Sequence, residues 1–305
     1  MTITGVDAVL FGVEDVEAAE RFLNDWGVSP MGMQDGFVRF QTRDGTQVDV
    51  ARLDDPRLPP AMQEGSTLRQ VIWGVEKAAD LDALAERLGD DAVRTEDGLT
   101  IADPNGLSHA FRVSRRVPVV ADPQDVNGPG LARRVDARSQ IYERAVPISV
   151  GHVVLFVDDL DASLSFFLDR LGFVVSDSYP GHAAFLRART PGSHHDAFIL
   201  RRPGNPGLNH VAFTVSNIHE VFGGGLAMSR KGWETDIGPG RHPISSAYFW
   251  YFKSPFGASL EYYADDDYCT EAWEPREYER RPELFAEWAI AGGIDGNSRR
   301  QARAA

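Results

Sequence analysis

The sequence predicts an α+β chain of four β-α-β-β-β modules, and three internal correspondences carry that prediction. Residues 9–18 match residues 153–162 without gaps. In each, an apolar run (Val9-Leu10-Phe11, Val153-Val154-Leu155) enters an acidic turn and then an amphipathic stretch. Residues 103–110 match residues 254–261 around a shared Pro-x-Gly, and residues 69–75 run parallel to residues 209–215. Self-similarity of this kind marks a repeated supersecondary unit.

The modules begin near residues 5, 66, 147 and 205. Acidic residues after the first strand of a module suit a helix N-terminus, where the macrodipole favours negative charge. In the third module Leu164, Phe167, Leu168 and Leu171 recur at helical spacing, Gly172 ends the helix, and a strand follows at residues 173–175. Pro104-Asn105-Gly106 and Pro255-Phe256-Gly257 each make a turn, with the last strand of the half starting just after it. Residues 117–146, with Pro118, Pro123, Gly128, Pro129 and Gly130, read as a linker carrying one short helix. The resulting division is an N-terminal domain at 1–116, the linker, a C-terminal domain at 147–265 and a tail at 266–305. Within the tail, residues 282–290 have an amphipathic helical pattern, and Gly296 onward has the composition of a disordered end. Gly223-Gly224-Gly225 lacks the strand before it and the Lys-Ser/Thr after it that a phosphate loop needs, and reads as a flexible helix end.

Composition narrows the function. The chain has 305 residues, 43% hydrophobic and 25% charged, as ordinary globular proteins have. Its net charge of −14 argues against nucleic acid, whose phosphates it would repel. A single cysteine, Cys269, excludes an internal disulfide and fits a reducing compartment. The amino terminus shows no basic run followed by an apolar core, and no apolar stretch approaches the ~20 residues of a membrane helix. The expected location is the cytoplasm, with no membrane partner.

The chemistry lies in the second half. His152, His210 and Glu261 each sit in a strand-like run, at corresponding positions of repeated modules. Two imidazoles and one carboxylate are the donor set that leaves open positions on a non-haem Fe(II). In the first half the equivalent positions are Ala8, Gln70 and Ala110, a set that binds no metal well. The first half therefore reads as a scaffold copy and the second as the working one. His109, His182 and His219 carry no partner pattern and read as structural or exposed.

The specific stretch Gly240-Arg241-His242, then Trp250-Tyr251-Phe252-Lys253-Ser254-Pro255-Phe256-Gly257, then Glu261, together with His194-His195, resembles the two-domain type I extradiol catechol dioxygenases of the vicinal oxygen chelate superfamily. The resemblance covers most of residues 1–265 and is strongest from 147 to 265. Trp250 and Ser254 depart from the family pattern. The resemblance implies modules paired into two open-barrel domains. It implies Fe(II), alternatively Mn(II), on His152, His210 and Glu261, and His195 as the acid–base histidine. It further implies a homo-oligomer acting on a catechol and O2, including bicyclic catechols, in aromatic catabolism. The chemistry asks for the same residue types. A histidine suits proton transfer because its pKa lies near working pH, and Tyr251 and His242 can orient a catechol monoanion by hydrogen bonds. Val154 and Ala212, alternating with the ligands, and Phe185 and Ile199 are the expected pocket residues. The tail after residue 265, with Trp273, Tyr278 and Trp288, is expected to cover the site. Two rivals remain open: a glyoxalase-like metal-dependent isomerase or lyase, and a metal-free aromatic-binding protein of the same fold.

Overall fold

A computed structural model describes residues 2–34, 37–120 and 126–294. Two open mixed sheets make up the two halves. The first orders its eight strands as Ser29–Gln34, Phe37–Gln41, Gln47–Arg52, Ile3–Val13, Thr67–Val75, Ser108–Val113, Leu99–Ala102 and Val93–Arg94. The second has ten, ordered Arg276–Glu277, Val174–Tyr179, Ala183–Arg187, Ala197–Arg201, Ser149–Val157, Gly207–Thr214, Ser259–Ala264, Tyr248–Lys253, Thr235–Arg241 and Trp288–Ala289. Among the described residues each half carries two α-helices: α1 (Val16–Trp26) and α2 (Ala78–Leu88), then α3 (Leu160–Ser165) and α4 (Ile218–Arg230).

Local chemistry fixes the helix ends. The Asp15 carboxylate accepts from the Ala18 N–H, Asp159 from Asp161 and Ala162, and Asn217 from Glu220. Each satisfies donors that the first helical turn leaves bare. Gly27 closes α1 in the left-handed conformation that glycine adopts without penalty. The central strand Ser149–Val157 lies between a parallel neighbour, Ala197–Arg201, and an antiparallel one, Gly207–Thr214.

The two sheets pair in the same register at the positions that correspond in sequence. In the first, Ala8 faces Ile72, and Ile72 faces Ala110. In the second, His152 faces Ala212, and Ala212 faces Glu261. The internal correspondence therefore extends from side chains to backbone pairing.

Four expectations differ from the structure. The helix opened by α3 continues as a π turn, Phe166–Leu171, and this wider turn lets adjacent Phe166 and Phe167 both turn inward, onto His109 and Phe173. The described part of the linker, residues 117–120 and 126–146, contains no helix, only a Gly128–Leu131 bridge, as its Pro and Gly content favours. Residues 282–290 form not an amphipathic helix but a 3-10 turn, Pro282–Leu284, and a short edge strand, Trp288–Ala289. Their backbone groups are spent on the sheet edge instead: Glu287 N–H donates to Arg241 O and Ile290 N–H to Pro239 O. The segment from Gly296 lies outside the described residues. Finally, the glycine triplet is mid-helix and buried. A β-carbon on Gly225 would meet the Trp250 ring at 2.0 Å, and one on Gly223 would meet Tyr142 O at 2.4 Å. These glycines let α4 lie close against its sheet and the end of the linker.

One apolar core runs through both halves. Trp26, at the end of α1, stacks on Tyr262 with ring centroids 3.6 Å apart, and the Tyr262 hydroxyl donates to Trp26 O at 2.6 Å. Phe22 meets Trp233 and Phe256 from the same helix. Tyr262 directly follows Glu261 on its strand, so this junction braces the strand that carries the carboxylate. Trp26→Ala is expected to cost about 3–5 kcal/mol of stability, read as a lower urea midpoint; a loss below about 1 kcal/mol would show that the junction bears little of the fold.

Candidate active site

Three adjacent strands bring His152, His210 and Glu261 together. Ala212 faces His152 on one side and Glu261 on the other. His210 lies two residues before Ala212 on the middle strand, and so on the same face. Ala212 is fully buried between the flanking ligand-type residues, packed on Ala247 and Tyr263. Its methyl is small enough to leave the space above it to the three longer side chains.

That space fits a cation. His152 Nε2 and His210 Nε2 lie 3.3 and 3.2 Å from Glu261 Oε2. One donor atom from each residue falls within 4.8 Å of the others, and among the described residues this is the one such group of His, Cys, Asp or Glu. Neighbouring donors about 2.1 Å from one octahedral ion stand about 3 Å apart, so the spacing suits a shared metal. His210 Nε2 and Glu261 Oε2 are buried without a hydrogen bond, a state proteins seldom leave unexplained. His210 Nδ1 sits 2.7 Å from Asn209 Oδ1, which turns the bare Nε2 inward. Burial alone would raise the Glu261 carboxyl, but the close approach of the His152, His210 and His242 imidazoles outweighs it and holds the group well below the usual carboxylate range. Burial lowers His152, against the pull of Glu261. An ionised Glu261 beside a neutral His152 is the protonation a metal requires of such donors.

Protic side chains surround the triangle. The His195 ring lies 4.1 Å from the His152 ring, and burial, then His152, pushes its pKa well down. His242 Nε2 is 3.0 Å from the Tyr251 hydroxyl and 3.7 Å from Glu261 Oε1, while its Nδ1 donates to Phe285 O at 2.6 Å. Tyr251 faces Glu261 directly across the strand pair. Burial, then the Glu261 charge, raises the Tyr251 hydroxyl well above its ordinary pKa, so it remains a proton donor.

A cavity of about 840 Å³ opens above these groups. Val154 and Phe185 line it, with Phe156, Phe198, Leu200 and Ile244. Ile199 does not; it points into the core on the opposite face, because strand parity gives the cavity to its neighbours Phe198 and Leu200. Ala212 is not part of the lining either and lies beneath the donor triangle. Phe198 was absent from the sequence reading although alternation along its strand could have found it; it stacks on Phe185 at 3.9 Å. The tail contributes Arg280, Pro282, Leu284 and Phe285 to the cavity wall. Trp273 instead packs on His194, Tyr278 on Tyr179, and Trp288 on Tyr248. His182 lines the cavity mouth, whereas His109 is buried and accepts from the Trp73 indole N–H at 2.9 Å.

A paired-sheet fold with two imidazoles and one carboxylate below an apolar, histidine-lined cavity is the build of a metal-binding enzyme site. Residues 149–262 match the model of the Glyoxalase/Bleomycin resistance protein/Dioxygenase superfamily. Over 283 residues the chain is 32% identical to the iron-dependent extradiol dioxygenase of Rhodococcus jostii, covering 83% of this chain and 88% of that one. It is 28% identical over 296 residues to metapyrocatechase 2 of Cupriavidus necator, covering 93% and 88%. Among solved structures, the Mn(II)-bound glyoxalase of Novosphingobium aromaticivorans matches with a TM-score of 0.73 and 25% identity, over 100% of this chain and 96% of that one. The chain belongs to the extradiol dioxygenases of this superfamily. No described helix is long and apolar enough to cross a membrane.

Cys269 takes no part in the cavity. It is fully buried beside Gly192, and burial raises its thiol to about 11. At pH 8 only about one thiol in a thousand would be ionised, and the thiolate is the reactive form. Iodoacetamide at pH 8 is therefore expected to leave the folded protein unlabelled while labelling the denatured chain fully; rapid labelling of the folded protein would contradict this.

Proposed function

We propose that the chain holds Fe(II), alternatively Mn(II), on His152, His210 and Glu261 and cleaves a catechol beside its diol, inserting both atoms of O2. The observation that carries this reading is the three-donor triangle with three protic side chains, His195, His242 and Tyr251, grouped around it. When bound, the metal supplies a redox-active centre at which triplet dioxygen and a singlet catechol can react.

The protein's own groups do the rest. His242 and Tyr251, hydrogen-bonded to each other, orient the diol between them: the Tyr251 hydroxyl donates to one oxygen, and His242 Nε2, bare because Nδ1 donates to Phe285 O, accepts from a diol hydroxyl. His195, neutral and buried, accepts a proton at its cavity-side nitrogen and later returns it as the ring opens. Phe185, Phe198, Val154 and Leu200 exclude water and bind the aromatic face. The cavity has room for a catechol, including a substituted or bicyclic one. The lone thiol fits a cytoplasmic catabolic enzyme, and the resemblance to the extradiol dioxygenases implies a homo-oligomer.

The likeness to a glyoxalase favours a second reading, a metal-dependent isomerase or lyase. Such an enzyme generally uses a fourth protein ligand, and the described residues offer three donors in the group.

Loading the protein anaerobically with Fe(II), then adding monocyclic, bicyclic and trihydroxylated aromatic diols with oxygen, tests the reading. The expected result is one O2 consumed per catechol with a yellow ring-opened product. His152→Ala should abolish it, and Tyr251→Phe should lower kcat by about ten- to a hundredfold. Stoichiometric metal with no oxygen uptake across the panel would overturn the dioxygenase reading in favour of the isomerase.

A further inference from the structure

Behind His195 lies a buried polar chain that the chemistry above does not use. His194 is fully buried and outside the cavity lining. Its Nε2 stands 2.9 Å from Asp177 Oδ2, and its Nδ1 stands 3.2 Å from His195 Nδ1. The other oxygen of Asp177, Oδ1, accepts the Arg276 N–H at 2.7 Å. Several contacts fix the His194 residue in place. Its N–H donates to Asp266 Oδ2 at 3.1 Å, its carbonyl accepts from the Ser176 hydroxyl, and the Trp273 ring meets its imidazole edge-on at 5.6 Å. Trp273 is held in turn by its indole N–H on Ser176 O at 2.9 Å.

The donors and acceptors of this chain can be assigned in one direction. A carboxylate only accepts, so His194 must donate from Nε2 to Asp177. A neutral imidazole protonated at Nε2 is bare at Nδ1 and accepts there. His195 must then donate from Nδ1, which leaves its Nε2 without a proton. We propose that Asp177 and His194 are positioning residues that fix the tautomer of His195, so that its Nε2 is the free base presented to the cavity. This is the carboxylate–imidazole logic of hydrolytic triads extended by one further ring. When His195 Nε2 takes a proton, its Nδ1–H keeps donating to His194, and the positive ring is stabilised through His194 by the Asp177 charge. No proton need leave the chain. Because Arg276 and Trp273 belong to the C-terminal tail, the tail fixes this chain from behind while it lines the cavity in front.

The inference rests on the dioxygenase reading only for its kinetic consequence; the tautomer can be read without turnover. Nitrogen-15 NMR of the imidazoles, with diamagnetic Zn(II) in place of iron, should show His195 protonated at Nδ1 and bare at Nε2. In Asp177→Asn the Arg276 N–H keeps the amide oxygen at the Oδ1 position, so the amide NH2 faces His194 Nε2 and every donor in the chain reverses. His195 should then carry its proton on Nε2. In the Fe(II) enzyme kcat should fall about a hundredfold with KM changed less than about twofold and an unaltered melting temperature. Combined with His195→Ala, Asp177→Asn should add no further loss. His194→Leu, which removes the Nδ1 acceptor, is the second variant and should also populate the Nε2–H form. A wild-type spectrum with His195 protonated at Nε2, or with His194 doubly protonated, would overturn the proposal. So would an unchanged His195 tautomer in both variants. A protein that turns over no diol but shows the expected tautomers would fail the dioxygenase reading and leave this one standing.

Discussion

The register of three neighbouring strands is the constraint on which the rest depends. His152, Ala212 and Glu261 stand in one row across the sheet, and His210 stands one side-chain step along the middle strand. A slip of one residue in either pairing would send a ligand-type side chain to the opposite face. Ala212 has to be small, because it occupies the floor between the two outer side chains. Tyr251 joins the same row from the fourth strand, opposite Glu261. One backbone register therefore sets the donor triangle and the phenol beside it.

Holding such a group has an energetic cost. A buried carboxylate and buried imidazoles lose solvation, and His210 Nε2 and Glu261 Oε2 at the centre of the triangle make no hydrogen bonds to offset that loss. A bound cation would repay it, which makes the site a place where metal affinity and fold stability are coupled. The scaffold half shows the uncommitted version of the same geometry. With Ala8, Gln70 and Ala110 at the equivalent places, Gln70 simply donates to Ser108 at 2.8 Å. The scaffold half then contributes through packing, with Trp26 bracing the strand of Glu261 and Phe22 the turn before it.

Much of this was legible in the chain itself. The four modules and the three ligand-type residues could be read because each recurs at corresponding positions, and repetition with substitution separates a site from its scaffold. What escaped the reading depended on parity or on tertiary contact. Ile199 and Phe198 are adjacent, and only the sheet determines which faces the cavity. The glycine triplet of α4 looked like a loose helix end, yet its absent side chains admit Trp250 and Tyr142. The tail pattern at 282–290 favoured a helix, but the free edge of Thr235–Arg241 captured its backbone. Asp177 carries no local signal at all, since its partners His194 and Arg276 come from separate parts of the chain.

The central claim is that one metal is held by two imidazoles and one carboxylate with positions left open. X-ray absorption at the iron edge of the anaerobically loaded protein, with and without a catechol, measures this directly. The account predicts two nitrogen donors of imidazole type, oxygen donors completing the shell, and replacement of the water-type oxygens by diol oxygens when catechol is added. A shell with four or more protein ligands, unchanged by catechol, would contradict it.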